Sequence, residues 1–143
     1  MTKPQAKQSD TKPTVFKAAK APVTPFKDQT LDVREQWLQR AAKALAADFA
    51  TKGVVVPPDC KVTCGFPGGG SPRKRIGECW SRSDSLAGVN EVFINPTMES
   101  PVHVVDVLGH ELLHAVDDCK SGHGAVFTKN SKLVGYSGGK ASS

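Results

Sequence analysis

Residues 100–116 read SPVHVVDVLGHELLHAV, and this stretch decides the fold. Ser100 followed by Pro101 is typical of a helix start, because a serine side chain caps the first free N–H groups and proline fits the first turn. Apolar residues then recur at three- and four-residue steps through Leu108 and Leu112. The stretch therefore predicts an amphipathic helix that packs against the rest of the domain.

The same helix carries the pattern H-E-x-x-H in His110, Glu111 and His114. Histidines four residues apart lie on one helix face, one turn from each other, which suits two ligands of a single Zn²⁺ ion. Glu111 stands between them and is placed to take a proton from a zinc-bound water. The pattern predicts a zinc-dependent hydrolase.

A catalytic zinc needs a third protein ligand, and His123 is the favoured candidate. It stands nine residues after His114, and the glycines on either side of it allow a sharp turn that returns its imidazole to the metal. No glutamate follows Glu111, which excludes a downstream glutamate ligand. The alternatives that stay open are Asp117, Asp118 and Cys119, and Asp117 is also placed to accept a hydrogen bond from a ligand imidazole.

The remaining patterns predict an α+β domain. Apolar residues at helical steps indicate a packing helix in residues 31–52, which Gly53 ends. Short β-like runs follow at residues 61–66, 75–81 and 91–95, and a Gly- and Pro-rich segment connects the first two as a long hairpin. We therefore expect the packing helix and the metal-bearing helix to lie against a small antiparallel sheet of about three strands.

The positive charge is concentrated at the N-terminus. The chain of 143 residues has a net charge of +5, and residues 1–30 contain six lysines and two aspartates. This segment is rich in proline and poor in large apolar groups, so we expect a disordered basic tail, with the folded domain at 31–136 and a flexible end at 137–143. The tail and the basic cluster Arg73, Lys74 and Arg75 are the candidates for a weak contact with DNA.

The composition also bears on location. No apolar run is long enough for a membrane span and no signal-peptide pattern is visible, so we expect a cytoplasmic monomer that does not contact membranes. In that compartment thiols stay reduced, and buried free thiols are the favoured interpretation of the cysteines. A second, structural zinc site is the alternative, although paired C-x-x-C motifs are missing. The four residues concerned are Cys60, Cys64, Cys79 and Cys119.

Two segments together resemble the SprT-like zinc metalloprotease family. They are HELLHA at residues 110–115 and GHGAVF at residues 122–127. The resemblance spans residues 31–136 and implies a zincin-like minimal domain. It also implies that His110, His114 and His123 bind zinc, that Glu111 is the general base, and that Phe127 packs to fix the returning loop.

These observations lead to two functional hypotheses. The first is an endopeptidase that hydrolyses peptide bonds in protein or peptide substrates with a zinc-bound water activated by Glu111, and the family resemblance extends it to DNA-associated proteins. The second is a non-catalytic, zinc-stabilised module that contacts a nucleic-acid-processing or transcription protein. Weaker candidates for a role in the site are His103, on the same helix face as His110, and Tyr136, as a donor to an oxyanion.

Overall fold

The computed structural model describes residues 33–68 and 75–136, which form three helices and one three-stranded sheet. The elements in chain order are α1 (Arg34–Thr51), β1 (Lys61–Cys64), β2 (Gly77–Trp80), β3 (Glu91–Ile94), α2 (Pro101–Ala115) and α3 (Ala125–Val134). The sequence-based prediction of an α+β domain is confirmed at this level. The expectations for residues 1–30 and 137–143 lie outside the described residues.

The sheet is mixed, so the prediction of an antiparallel sheet was wrong. The strand order is β1-β3-β2, with β3 parallel to β1 and antiparallel to β2. The connection between Cys64 and Gly77 therefore joins opposite edges of the sheet and does not form a hairpin. At twelve residues this connection far exceeds a tight hairpin turn, and its length leaves room for β3 in the centre, where Val92 and Ile94 are fully buried.

Helix α1 forms as its apolar spacing predicts. Leu38, Ala42 and Phe49 share one face and are buried in the core. The helix ends at Thr51, and the chain then turns away at Gly53, whose φ of +80° is readily adopted only by glycine. This face packs against β1 and against α2, the helix that carries His110 and His114.

Helix α2 is the central element of the fold. The Ser100 side chain accepts a hydrogen bond from the His103 backbone N–H at 3.5 Å, and Pro101 occupies the first turn, as the sequence predicts. Leu108, Leu112 and Leu113 are at most 1 % exposed. Helix α2 packs against α1, α3, β2 and β3, and these contacts fix the helix that carries His110 and His114.

Helix α3 is a third helix, where the sequence indicated only two. It begins after Gly124 and ends at Gly135, which has a φ of +80°. Only Ser131 and Val134 of this helix are buried, while Val126 and Leu133 stay largely exposed. The apolar pattern is therefore too weak to predict the helix, and its packing on α2 is what positions it.

Candidate metal centre

Two of the three histidines project from α2. His110 and His114 are one turn apart, and their Nε2 atoms lie 3.2 Å from each other. His110 is buried and His114 is partly exposed. The helix therefore aims both imidazoles at one point near the surface.

The third imidazole comes from the loop between α2 and α3. The Nε2 atom of His123 lies 2.9 Å from that of His110 and 3.1 Å from that of His114. The loop needs both neighbouring glycines: Gly122 has a φ of +50°, and a Cβ on Gly124 would lie 2.8 Å from the Ser121 carbonyl oxygen. The turn expected from these glycines does bring His123 back to the helix.

The geometry of the three nitrogens suits a metal ion. Each Nε2 either carries a proton or offers a lone pair, so three of them cannot all hydrogen-bond to one another. A cation at the centre satisfies all three lone pairs at once. Tetrahedral Zn–N bonds of about 2.0–2.1 Å would separate the nitrogens by about 3.4 Å, close to the spacings seen here. The trio can therefore hold a metal ion.

Burial keeps these imidazoles in the form that binds metals. Burial, together with the neighbouring His110 and His123, lowers the pKa of His114 to about 4. Burial also lowers the pKa of His110, with His123 again contributing. Both imidazoles are consequently neutral at neutral pH, with lone pairs available.

Phe127, in the first turn of α3, packs against all three rings. Its ring is stacked on that of His114, with centroids 4.5 Å apart, and lies 4.9 Å from His110 and 5.0 Å from His123. One aromatic side chain therefore buttresses the whole trio, which gives α3 a direct part in building the site.

Glu111 is buried beside the start of β2. It is 8 % exposed, and a Cβ on Gly77 would lie 2.9 Å from its Oε1 atom and 2.5 Å from Cγ1 of Val107. Burial and the nearby Glu78 carboxylate, partly opposed by Arg75, together raise the pKa of Glu111 to about 8. Within the described residues no hydrogen bond to its carboxyl group is formed. Burying a carboxyl group without a hydrogen-bond partner costs free energy of folding. Carboxyl groups in such an environment are typical of functional sites.

Gly77 is a site residue that the sequence did not reveal. A glycine at the start of a strand is a weak signal of close approach by another group. Only the packing of α2 on β2 shows that the missing side chain makes room for Glu111.

The alternative third ligands all bind elsewhere. The Asp117 carboxylate accepts a hydrogen bond from the Ser121 N–H at 3.0 Å. Asp118 accepts hydrogen bonds from the Arg82 N–H at 2.8 Å and the Asn90 side-chain amide at 3.0 Å. Cys119 lies against Cys79. These three residues anchor the loop that carries His123.

The weaker candidates are not in the trio. The side chain of His103 is exposed in the first turn of α2. Tyr136 packs on α2 at Gly109, where a Cβ would lie 3.1 Å from its Cε2 atom, and burial raises the pKa of the tyrosine. Neither position brings the residue among the converging imidazoles.

The basic cluster is only partly described. Arg73 and Lys74 lie outside the described residues, as does the basic segment at 1–30. The Arg75 guanidinium donates to the Glu78 carboxylate at 2.5 Å, so its charge is largely compensated within the domain. Arg75 is consequently a poorer candidate for a phosphate contact than the sequence indicated.

Comparisons with protein-family models, curated proteins and solved structures gave no match. Among residues 33–68 and 75–136, no helix is both long enough and apolar enough to cross a bilayer.

Proposed function

We propose that this chain is a zinc-dependent endopeptidase with a zincin-like domain of the SprT-like type. The observation that carries the proposal is the convergence of three imidazole nitrogens, two from α2 and one from the loop after it, together with the buried Glu111 that stands between the two histidines of α2. His110, His114 and His123 would hold the metal. When bound, zinc supplies Lewis acidity that polarises a carbonyl group and makes water more acidic.

In this proposal the three histidines would hold the metal ion and Glu111 would transfer the proton. Among the described residues no other metal-binding side chain joins the three imidazoles, so a metal ion that they would hold could also take a water or a substrate oxygen as ligand. A cation held by the trio would favour the ionised form of Glu111 over the protonated form that burial favours. In the ionised form Glu111 takes a proton from the attacking water and delivers it to the leaving amine. Its lack of a protein partner favours this role, because its oxygen atoms are not committed to a structural hydrogen bond.

The retained glutamate favours an enzyme over a binding module. A site that only stabilises the fold gains little from a buried acid that is not a ligand. A module that only contacts a partner would need the three histidines to hold its zinc, but it would not need Glu111.

Replacing Glu111 by Gln tests the proposal. We expect E111Q to keep its zinc and to lose hydrolysis of a denatured protein substrate by about 10²–10⁴-fold, as removal of a general base does. Exposed Glu99 provides the matched control, and E99Q should behave as the wild type. Wild-type rates in zinc-loaded E111Q would remove Glu111 from the mechanism. Zinc binding without hydrolysis of any tested protein by the wild type would favour the binding module.

DNA-associated proteins are the substrate class that we propose within this activity, because the excess positive charge lies in residues 1–30. Deleting these residues and neutralising Arg73 and Lys74 should weaken DNA binding and its salt dependence. DNA affinity that is unchanged, or absent from the start, would contradict this part of the proposal while leaving the peptidase intact.

A further inference from the structure

Two cysteines outside the metal centre lie in contact. Cys79 is in β2 and Cys119 is in the loop after α2, 40 residues later, yet their Sγ atoms are 3.3 Å apart. The Cys119 sulfur also lies 3.5 Å from the Cys79 carbonyl oxygen. Both residues are partly exposed.

The loop backbone holds Cys119 in this position. Asp118 and Cys119 have φ values of +60° and +59°, a left-handed conformation that non-glycine residues adopt rarely. The Cys119 N–H donates to the His114 carbonyl oxygen at 2.8 Å, and the Asp118 carboxylate is held by Arg82 and Asn90. An unfavourable backbone conformation fixed from several sides indicates that the approach of the two thiols is built into the loop.

We propose that Cys79 and Cys119 are a redox modification site, which a low-molecular-weight disulfide such as oxidised glutathione converts into an intramolecular disulfide. The bond would join β2, which lies beside Glu111, to the loop that carries His123. The sulfur atoms need to approach by only about 1.3 Å to reach the S–S bond length of about 2.05 Å.

The exchange balances with one equivalent of oxidised glutathione. The Cys119 thiolate attacks one glutathione sulfur, an S–S bond forms between them, and the first glutathione leaves as a thiolate that takes up a proton. The Cys79 sulfur, after losing its proton, then attacks the Cys119 sulfur of this mixed disulfide and displaces the second glutathione. The two protein thiols are oxidised by two electrons, and one glutathione disulfide is reduced to two thiols.

Because the two sulfurs are in contact, the thiol that does not open the exchange is placed to complete it. The contact with the Cys79 thiol lowers the pKa of Cys119, and the contact with Cys119, together with burial, raises the pKa of Cys79. Cys60 is the nearest competitor, but burial, aided by Asp59, raises its pKa to about 11. Cys64 is in β1, and β3 lies between that strand and β2, which carries Cys79.

Peptide mapping of the full chain tests this proposal. The protein is equilibrated with mixtures of reduced and oxidised glutathione, its remaining thiols are alkylated, and the proteolytic fragments are mapped without reduction. We expect the four thiols to fall to two and one cross-linked fragment to contain Cys79 and Cys119, with both thiols restored by excess reduced glutathione. Pairing through Cys60, only intermolecular or glutathione mixed disulfides, or four thiols at every ratio would overturn the proposal.

Two variants make the test specific. C119S should lose the cross-link, whereas the matched control C64S should form it at the same glutathione ratio as the wild type. A cross-link in C119S, or its loss in C64S, would contradict the assigned pair. Because the wild-type map alone identifies the pair, the test does not depend on either variant folding, and it is independent of the proposed peptidase activity.

Discussion

Gly77 is the residue at which a single added methyl group would reach the candidate catalytic carboxylate. Its Cβ would overlap Val107 and press on Glu111. We expect Gly77→Ala to cost about 1–3 kcal/mol of unfolding free energy, as overpacking does, and to lower peptide hydrolysis by displacing Glu111. Denaturant unfolding and a hydrolysis assay measure the two effects.

Gly65 provides the control for this substitution. A Cβ there would lie 3.4 Å from the Phe93 ring, an ordinary contact at the other end of the loop that joins β1 to β2. Gly65→Ala should therefore leave hydrolysis unchanged. Equal hydrolysis by the two alanine variants would show that the close fit of Gly77 against Glu111 does not control the activity.

Phe127 tests whether packing supports the candidate metal ligands. Removing its ring in Phe127→Ala leaves three imidazoles without the surface on which they rest, so we expect zinc affinity to fall about 10–100-fold. The control is Phe66→Ala, since the Phe66 side chain is 59 % exposed and lies outside the trio. Competition with a chromophoric chelator measures both affinities, and equal values would show that the ring does not support the site.

The sequence revealed those candidate site residues whose positions follow from local spacing along the chain. His110, Glu111 and His114 follow from one helix turn, and His123 follows from its glycine neighbours. Gly77 and the Cys79–Cys119 pair could not be found this way, because each depends on a contact between β2 and residues that are 30 or more positions away in the chain.

At the scale of elements, the loop between α2 and α3 is fixed by its acidic residues. Hydrogen bonds from the Arg82 N–H and the Asn90 amide hold the pKa of Asp118 below its usual range. A lowered folded-state pKa means that the carboxylate stabilises the fold above the usual pKa of aspartate and loses this contribution as the pH falls through the lowered value.

We therefore expect Asp118→Asn to unfold at a lower temperature than the wild type at pH 6, and the difference between the two to shrink as the pH is lowered toward 3. Thermal unfolding followed by circular dichroism across this range measures the difference. A difference that stays constant with pH would show that the Asp118 charge makes no contribution to the anchor.

Element prediction succeeded where one element carries its own signal. Helices α1 and α2 have apolar faces and clear ends in Gly53 and Ser100–Pro101, and the three strands appeared within a few residues of their predicted bounds. The sheet pairing and α3 were not recovered. Strand order depends on contacts distant in sequence, and α3 buries too few apolar side chains for its periodicity to stand out.

At the scale of the whole molecule, a bound metal would link α2 to the loop leading into α3. A ligand that binds only the folded state stabilises it by mass action, so zinc at about 100 times its dissociation constant should raise the unfolding midpoint by about 10 °C. Chelation with EDTA should reverse the rise. A midpoint that responds to neither zinc nor EDTA would indicate that the histidines hold no metal in the folded protein.

Zinc content of the purified full chain, measured by elemental analysis, tests the three-histidine site most directly. His123→Ala removes the ligand supplied by the loop, and His103→Ala is the matched control, because His103 is on α2 but outside the trio. A three-histidine zinc site predicts one zinc per chain in the wild type and in H103A, and little or none in H123A. Equal zinc in H123A and the wild type, or none in any of them after zinc is added, would contradict it.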